Sequence, residues 1–426
     1  MSTKNNLVLS VNAGSSSLKI SLYSVRPGGD HLEPVELKVT SSISNISAPP
    51  AKFSFKVVQG TTKDEKVQKI HDHPSAFAHF IDCLDEEPDL DRARITHVCH
   101  RVVHGGDYTD PVAVNDEAYN HIERLSDLAP LHNGASLAVI QTCPSQLSNA
   151  KSIAFFDTAF HRSIPPHISS YAIDQKIAKQ RGLKKYGFHG LSYSFILRSV
   201  SHFLEKPANT LNLIVLHLGS GASACCIQHG QSLDTSMGLT PLNGLPGATR
   251  SGTIDPSLIF HYTNKAGRMS HDKANAVDLQ VTQAEHILNT QAGWKALTGT
   301  TDFGEITARA QKADGVDADA RLAFELFADR VMDFVGAYHL KLGAKVDALV
   351  FSGGIGERSK ELRAFIGERV ECLGYPHVDE QRNGAVDTTE GIVVDVGVSG
   401  SQTKRVLVCR TDEQLEMARQ CTLGSM

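Results

Sequence analysis

The stretch Leu7–Tyr23, LVLSVNAGSSSLKISLY, decides the fold of this chain. Apolar and polar residues alternate on both sides of a polar segment, Asn12–Ser17, which predicts a β-hairpin with a glycine-containing tip. Such a tip brings backbone N–H groups, hydroxyl groups and an amide close together, and this combination suits a phosphate. The alternative is an ordinary serine-rich hairpin turn, because the segment does not have the P-loop pattern.

A second copy of this unit lies about half a chain further on, at Leu211–Gln228, LNLIVLHLGSGASACCIQ. An apolar β-run again precedes a tip of small residues, here 219–223, and a returning run follows it. Two strand, turn and strand units of this kind predict a duplicated fold in which two related domains face one cleft.

The composition indicates a soluble cytosolic enzyme. The 426 residues, 41% hydrophobic and 21% charged, can form about two or three domains with buried cores. A net charge of −5, with no Lys/Arg run longer than a pair such as Lys184-Lys185, argues against a nucleic-acid-binding protein. The N-terminus has no apolar signal-peptide segment, and no apolar run approaches the roughly 20 residues of a membrane span. The eight cysteines lack CxxC spacing, which favours reduced thiols.

Two segments in the first quarter of the chain show no evident chemistry. Residues 26–64 are rich in Pro, Gly and Ser and contain alternating stretches, which predicts extra strands and a variable loop. Apolar residues at helical spacing in 73–84, HPSAFAHFIDCL, predict a core-packed helix whose histidines are structural.

Two charged side chains stand near the ends of predicted buried strands. Arg101 lies in an apolar run just before a Gly-Gly turn, and an arginine is costly to bury unless it meets an anion. It is therefore a candidate clamp for a carboxylate or phosphate, or else it is paired with a structural Asp or Glu. Asp157 follows the apolar run of 152–156, where a carboxylate typically contacts a metal or a hydroxyl group; the alternative is a helix N-cap.

Further candidates lie in predicted turns and loops. His132 is predicted on an exposed turn before a helix. The glycines around Phe188 and His189 predict a tight turn that holds His189 rigidly. The segment 234–256 is rich in Gly, Pro, Ser and Thr but keeps apolar anchors, which predicts a long ordered loop, and its arginine, Arg250, is a second candidate anion clamp.

A strand, glycine turn and helix pattern in the last third of the chain predicts a contact with a nucleotide. An amphipathic helix over 321–342 leads into a β-run at 346–351, then a glycine turn at 352–359 and another helix. In this arrangement glycines let a base or ribose approach the backbone. Glu413 opens the last helix, and it is either a site residue or a partner of the helix dipole alone.

Ten motifs, in order along nearly the whole chain, resemble the acetate kinases of the acetokinase family. They are VNAGSSSLK (11–19), HRVVHGG (100–106), LAPLHN (128–133), FDTAFH (156–161), YGFHG (186–190), HLGSGAS (217–223), DTSMGLTPL (234–242), TRSGTIDP (249–256), SGGIGERS (352–359) and TDEQLEMAR (411–419). The resemblance implies an α/β fold of two duplicated ribonuclease H-like domains, each a mixed sheet flanked by helices, with the active site in the interdomain cleft. It places the domains at 1–158 plus 412–426 and at 159–411, so that the C-terminal helix returns to the N-terminal domain.

The activity that the resemblance implies is reversible, Mg²⁺-dependent phosphoryl transfer between ATP and acetate, giving ADP and acetyl phosphate by direct in-line transfer. It implies a cytoplasmic homodimer that binds small molecules and neither nucleic acid nor membrane. The catalytic residues implied are Arg101, His132, Asp157, His189 and Arg250, of which His189 and Arg250 stabilise the transition state. Phosphate and nucleotide binding is implied for Asn12, Ser15, Ser17, Lys19, His217, Gly219, Ser220, Gly221, Gly354, Ile355, Gly356 and Arg363. Acyl-group binding is implied for Arg101, Val103, Leu131, Phe188 and Pro241, and magnesium binding for Asn12 and Glu413 with Asp157 nearby.

The implied constellation is chemically coherent. A carboxylic acid with a pKa of about 4 to 5 is already ionised at neutral pH, so the nucleophile needs no general base. The site must bring two anions together and stabilise charge on the phosphoryl group in transfer, which arginines, histidines and Mg²⁺ do by electrostatics and alignment. The histidines are therefore interpreted as stabilising groups.

Four positions depart from the family pattern: Ser220 stands for an asparagine, Gly134 for a proline, Thr253 for an aspartate and Arg358 for an asparagine. The hydroxyl of Ser220 is shorter than an amide and donates one hydrogen instead of two. A pyrophosphate-linked or phosphate-linked acetate kinase is therefore an alternative. A kinase of propionate or butyrate and a non-catalytic nucleotide-binding protein are the others.

Overall fold

A computed structural model of the chain describes residues 6–26, 33–125, 130–262, 282–312, 315, 317–399 and 404–424, without the side chains of 130–132. These residues form two compact units. The first consists of the residues up to Ala159 together with those from Asp412 onward, and the second of those between Phe160 and Thr411.

The regular elements follow in chain order. The strands are β1 (Leu7–Gly14), β2 (Ser17–Val25), β3 (Val35–Ser44), β4 (Ala51–Val57), β5 (Thr62–Val67), β6 (Ile95–Val102), β7 (Val112–Ala113), β8 (Lys151–Phe156), β9 (Leu213–Leu218), β10 (Ala222–Gln228), β11 (Gln231–Thr235), β12 (Ala348–Ser352), β13 (Val393–Asp395) and β14 (Arg405–Cys409). The helices are α1 (His73–Asp85), α2 (Asp116–Leu125), α3 (Pro130–Gln146), α4 (Pro166–Ser169), α5 (Gln175–Arg181), α6 (Gly190–Phe203), α7 (Leu258–Tyr262), α8 (Gln283–Thr290), α9 (Gly293–Thr298), α10 (Phe303–Ala310), α11 (Ala318–Lys341), α12 (Gly353–Arg358), α13 (Lys360–Val370), α14 (Glu380–Gly384) and α15 (Glu413–Leu423).

The first unit contains an eight-stranded sheet in the order β5-β4-β3-β2-β1-β6-β8-β7. The predicted N-terminal hairpin is confirmed, because β1 and β2 pair antiparallel from Leu7 opposite Ser24 to Gly14 opposite Ser17. β3 continues antiparallel on β2, whereas β6 and β8 run parallel to β1 and to each other. The predicted extra strands of 26–64 are β3, β4 and β5.

The second unit contains a six-stranded sheet in the order β11-β10-β9-β12-β14-β13. β9 and β10 form the second predicted hairpin, β11 pairs antiparallel with β10, and β12 and β14 run parallel to β9 and to each other. β7 on β8 and β13 on β14 are both antiparallel, so six strands of each sheet share one order and one set of directions, which confirms the predicted duplication.

The helices of the first unit bury their apolar faces against its sheet. Asp72 caps α1 by accepting a hydrogen bond of 2.8 Å from the backbone N–H of Ser75, a contact worth about 1 kcal/mol. Phe77 and Phe80 of α1 are fully buried in one core with β1 to β4. α15 packs its buried Met417 against the same unit, and this places the N-terminus of α15 beside β1 and β6.

In the second unit the long helix α11 confirms the predicted amphipathic helix. Its Phe327 and Val331 are fully buried, and Phe327 lies edge-on to Trp294 with the ring centroids 5.3 Å apart. α11 leads to the fully buried strand β12. Among the described residues, no helix is both long enough and apolar enough to cross a membrane.

Two local predictions differ from the structure. Residues 353–358, predicted as a glycine turn, form the short helix α12, because Gly353 turns the chain directly after β12 with a positive φ of 75°. A Cβ on Gly353 would lie 2.7 Å from the carbonyl oxygen of Leu218, so a side chain is excluded there. His132, predicted on a turn before a helix, lies within the first turn of α3.

Candidate active site

In the first unit, four of the predicted site residues form one polar cluster. The Arg101 guanidinium donates two hydrogen bonds to Oδ2 of Asp157, from Nε at 3.0 Å and from Nη2 at 2.6 Å. Its Nη1 donates to Oδ1 of Asn12 at 3.2 Å and forms an ion pair with Oε2 of Glu413 at 3.0 Å. The amide of Asn12 donates to the same Glu413 oxygen at 2.8 Å. We call these four residues the Arg101 cluster.

The cluster contains two carboxylates and one guanidinium, so its formal charge is −1. Asp157 is fully buried and the side chain of Arg101 is 15% exposed. Burial by itself lowers the pKa of Arg101, but the charges of Asp157 and Glu413 outweigh it and hold the pKa above its ordinary value. Arg101 is therefore paired with Asp157 and Glu413, which are themselves predicted site residues, and remains cationic.

The elements of the fold hold each member of the cluster in place. Arg101 is the penultimate residue of β6, and Asp157 directly follows β8, as predicted. Ser136 of α3 donates a hydrogen bond of 2.8 Å to the carbonyl of Arg101. Ser10 on β1 donates to the carbonyl of Gln414 at 2.9 Å, which fixes the first turn of α15 and hence Glu413.

The tip of the first hairpin is short and open to solvent. Only Ser15 and Ser16 lie between β1 and β2, and both are exposed. Ser17 is half-buried and Lys19 is exposed. These residues can reach a bound anion without displacing protein contacts, which is compatible with the predicted phosphate turn.

The loop after β6 is clamped to α3 by Asn133. The fully buried Asn133 amide accepts from the backbone N–H of His104 at 3.0 Å and donates to the carbonyl of His104 at 2.9 Å. This contact fixes the helix turn that contains Leu131 and His132, two predicted site residues whose side chains lie outside the described part of the chain. Val103, predicted to contact the acyl group, is half-buried beside this loop.

In the second unit, His189 stands at the N-terminus of α6 in a left-handed backbone conformation with φ of 59°. Its Nδ1 shares a hydrogen bond of 2.8 Å with Oγ of Ser223, which also bonds to the hydroxyl of Tyr193. The His217 ring stacks on the His189 ring with the centroids 4.2 Å apart. Residues of β9, β10 and α6 therefore fix the orientation of the His189 ring, in agreement with the prediction that His189 is held rigidly.

A second layer of hydrogen bonds supports this pair of histidines. Nδ1 of His217 bonds to Oγ of Ser192 at 2.7 Å, and that hydroxyl also contacts Thr411 at 2.8 Å. His161 bonds to the carbonyl of Phe188 at 2.9 Å. No role was predicted for Ser192, Ser223, Tyr193 or Thr411, although Ser223 and Thr411 lie within the quoted motifs and Ser192 lies two residues after one of them.

Arg250 and the second hairpin tip lie together in the second unit. A Cβ on Gly221 would lie 2.0 Å from Nη2 of Arg250, so only glycine fits where the guanidinium passes. The backbone N–H of Ala248 donates to the carbonyl of Ser220 at 2.8 Å, which ties the tip to the loop. Burial lowers the pKa of Arg250 to about 10, so that this arginine remains cationic at neutral pH.

The Ser220 side chain is exposed, and Gly219 and Gly221 are half-buried on either side of it. The hydroxyl that replaces the asparagine of the family pattern therefore faces solvent. Phe188 and Pro241, predicted to contact the acyl group, are both buried.

The predicted nucleotide residues of the second unit divide into accessible and buried ones. Gly354 is exposed and Ile355 is half-buried, whereas Gly356 is buried. Arg363 is 1% exposed, and its guanidinium donates to the carbonyls of Gly356, Glu357 and Asn383 and to the side chain of Asn383, at 2.7 to 2.9 Å. These donors hold α12, α13 and α14 together, because a buried guanidinium must be satisfied by protein acceptors, and the nucleotide contact of Arg363 stays a prediction.

The structure therefore groups the predicted residues by unit. The first unit brings together Asn12, Arg101, Asp157 and Glu413, and the second brings together His189 with His217, and Arg250 with the tip of Gly219–Gly221. In the described part of the chain, all of these side chains are within hydrogen-bonding or van der Waals reach of another member of their group.

Comparisons with known proteins agree on one family. Residues 7–419 match the acetokinase family. The "Probable acetate kinase" of Emericella nidulans is 48% identical to this chain over 420 residues, which cover 97% of each protein. The acetate kinase of Clavibacter michiganensis is 37% identical, and the match covers 97% of this chain and 98% of that protein. Among solved structures, a propionate kinase from Francisella tularensis is similar with a TM-score of 0.83 and 33% identity, covering 97% of this chain and 98% of that one. An acetate kinase from Porphyromonas gingivalis has a TM-score of 0.78 and 27% identity, with 98% and 99% covered.

Proposed function

This chain belongs to the acetokinase family, and from that premise we propose that it catalyses the reversible transfer of a phosphoryl group between ATP and acetate, giving ADP and acetyl phosphate. The observation that carries the proposal is the Arg101 cluster. It combines oxygen donors of the kind that Mg²⁺ prefers with a guanidinium of the kind that binds carboxylate or phosphoryl oxygens. All four members are residues for which the resemblance implies these roles.

The oxygen donors of the cluster fit a magnesium ion. Asn12, Asp157 and Glu413 offer an amide oxygen and carboxylates, and the formal charge of −1 attracts a cation. We propose that Asn12 and Glu413 hold Mg²⁺, with Asp157 beside it. When bound with the nucleotide, Mg²⁺ neutralises phosphate charge and lowers the repulsion between the two anionic substrates.

The nucleophile is the acetate carboxylate, which is ionised at neutral pH because its pKa is about 4 to 5. We therefore assign no general base. Arg101 orients the acetate, and Arg250 and His189 stabilise the negative charge that spreads over the phosphoryl oxygens during a direct, in-line transfer. The bond of Ser223 to Nδ1 keeps the His189 ring in a fixed orientation for this task.

A second candidate substrate class is propionate or butyrate. The similarity to the propionate kinase from Francisella tularensis favours these longer acids. We propose that two buried residues of the second unit, Phe188 and Pro241, limit the length of the acyl group that can bind. A longer acid adds about 0.8 kcal/mol of apolar burial per CH₂ if the pocket has room, and clashes if it does not.

We also propose that the chain works as a cytosolic homodimer. The resemblance to the acetate kinases supports this proposal. Sedimentation of the purified chain tests the oligomeric state, and a single species with the mass of one chain contradicts it.

The experiment that tests the function measures ADP release from ATP as a function of acetate, propionate and butyrate concentration, with hydroxylamine present to trap any acyl phosphate. We expect acetate-dependent ADP and hydroxamate in equal amounts, with kcat/KM falling as the acid lengthens. A preference for propionate favours the second candidate. ADP release without hydroxamate contradicts transfer to a carboxylate.

A further inference from the structure

The extra strands and the helix that follows them contain a cluster of metal-ligating side chains with no part in phosphoryl transfer. Glu65 lies on β5, and His79 and Cys83 lie on α1. A carboxylate oxygen, an imidazole nitrogen and a thiol sulfur of these residues all lie within 4.8 Å of one another. We propose that Glu65, His79 and Cys83 form a zinc-binding site in the first unit.

The fold brings the three side chains together from two elements. His79 and Cys83 are four residues apart on α1, and residues at this spacing share one face of a helix. Phe53 on β4 lies opposite Glu65 in the register of β4 and β5, so both side chains project from the same face of the sheet. The His79 ring lies edge-on to Phe53 with the centroids 4.5 Å apart, and its Nε2 is 3.2 Å from Oε1 of Glu65.

The donor set selects the metal. A thiol, an imidazole and a carboxylate match the ligands that zinc takes in proteins, whereas Mg²⁺ and Ca²⁺ prefer oxygen ligands alone. Tetrahedral bonds of about 2.0 to 2.3 Å set the donors about 3.3 to 3.7 Å apart, so the donor atoms, which lie within 4.8 Å of one another, approach by about 1.5 Å at most. The Glu65 side chain is 48% exposed and has room to rotate, while Cys83 is 3% exposed and fixed by the core.

The ammonium group of Lys63, also on β5, is paired with the carboxylate of Glu86, which offsets its positive charge. A bound divalent ion would link the edge strand β5 to α1 and leave one tetrahedral position for water, because the chain supplies three ligands.

The simpler role for these residues is a surface hydrogen bond between His79 and Glu65, in which the thiol of Cys83 takes no part. The two roles differ in whether the sulfur binds metal. Co²⁺ reports this directly, because a thiolate bound to Co²⁺ gives a charge-transfer absorption that oxygen and nitrogen ligands do not give.

The test titrates the metal-free, reduced full-length chain with Co²⁺ while Mg²⁺ is present in excess, and then displaces the Co²⁺ with Zn²⁺. We expect one Co²⁺ per chain with a thiolate charge-transfer band that Zn²⁺ abolishes. Cys83→Ala should lose the band and bind Co²⁺ more than about 100-fold more weakly, since even second-shell changes at metal sites cost about 10- to 100-fold. Cys372→Ala, at the exposed cysteine of the second unit, is the matched control and should keep both.

Glu65→Gln provides a variant at a half-exposed position, where the fold is not at risk. It should keep the charge-transfer band and weaken binding by at least about tenfold. The absence of a band in the wild-type chain, or a band that persists in Cys83→Ala, overturns the proposal. Acetate kinase activity does not enter either measurement, so failure here is distinct from failure of the proposed function.

Discussion

Replacing Arg101 by lysine tests whether the shape of the guanidinium matters or only its charge. The wild-type side chain reaches Asp157 from two nitrogens, while a third nitrogen reaches Asn12 and Glu413. A lysine has one nitrogen and can serve one side of this arrangement. About two charge-assisted hydrogen bonds are lost, at about 1.5 to 3 kcal/mol each. Partial hydration of the site reduces this sum, so we expect the free energy of unfolding to fall by about 2 to 4 kcal/mol.

The activity of Arg101→Lys should fall further than its stability implies. Loss of one positioned donor to a developing charge typically lowers kcat by about 10²- to 10³-fold. The assay is acetate-dependent hydroxamate formation from ATP, at a temperature where denaturant titration shows the variant folded. Arg321→Lys, at an exposed arginine paired with Glu325 on α11, is the matched control and should change neither quantity. If Arg101→Lys turns over as fast as that control, the forked contact is not used and the assignment of Arg101 fails.

Three further predictions concern positions that support the site. Gly221→Ala should lower kcat by at least about 100-fold with the fold intact, because the new methyl group lies where Nη2 of Arg250 passes. Gly336→Ala on α11, where a methyl group meets nothing within 4 Å, should leave kcat unchanged. Equal kcat values in the two variants would contradict the close approach of Arg250 to Gly221. Asn133→Ala should lower the free energy of unfolding, measured by denaturant titration, by about 2 to 3 kcal/mol, because it leaves the backbone N–H and C=O of His104 without this partner. Gly134→Ala next to it should be neutral or stabilising by up to about 1 kcal/mol. An Asn133→Ala variant as stable as Gly134→Ala refutes the contact between Asn133 and His104 as a stabilising one. Burial lowers the pKa of His100 to about 3 from 6.5, so the unfolded state binds the extra proton; the free energy of unfolding should therefore fall by about 2 kcal/mol from pH 7.5 to 5 through this residue alone. His100→Asn should make the free energy of unfolding less dependent on pH, and His71→Gln, at an exposed histidine, should not. An unchanged pH dependence in His100→Asn rules out a buried neutral imidazole at this position.

The sequence patterns predicted the sheets well because local alternation decides them. The run from Leu7 to Tyr23 needs no distant partner to reveal two strands and a tip, and the same holds for Leu211–Gln228. Asp157 was placed correctly at the end of a strand because an apolar run stops there. The pairing of Arg101 was left open in the sequence analysis, since its acidic partners lie 56 and 312 residues further along the chain.

The remaining differences also come from contacts between distant residues. The helical form of 353–358 depends on the approach of Gly353 to Leu218, which no local pattern records. The burial of Arg363 depends on Asn383, 20 residues further along the chain, which accepts hydrogen bonds from its guanidinium. The Ser223 hydroxyl orients His189 across 34 residues of sequence, and only the assembled sheet and helix bring the two together.

Two departures from the family pattern, one of them at a predicted phosphate-binding position, bear on the phosphoryl donor. Ser220 and Arg358 replace asparagines of the family pattern, and both side chains are exposed. Exposed side chains tolerate exchange at little cost to the fold, so neither change is explained by packing. We infer that ATP remains the donor in spite of them.

The most direct test of that claim runs the reaction toward ATP. Purified chain with Mg²⁺ and acetyl phosphate is supplied with either ADP or inorganic phosphate, and ATP and pyrophosphate are quantified separately. We expect acetyl phosphate to be consumed only with ADP and ATP to appear in equal amount. Consumption with phosphate and formation of pyrophosphate, without any response to ADP, would contradict it.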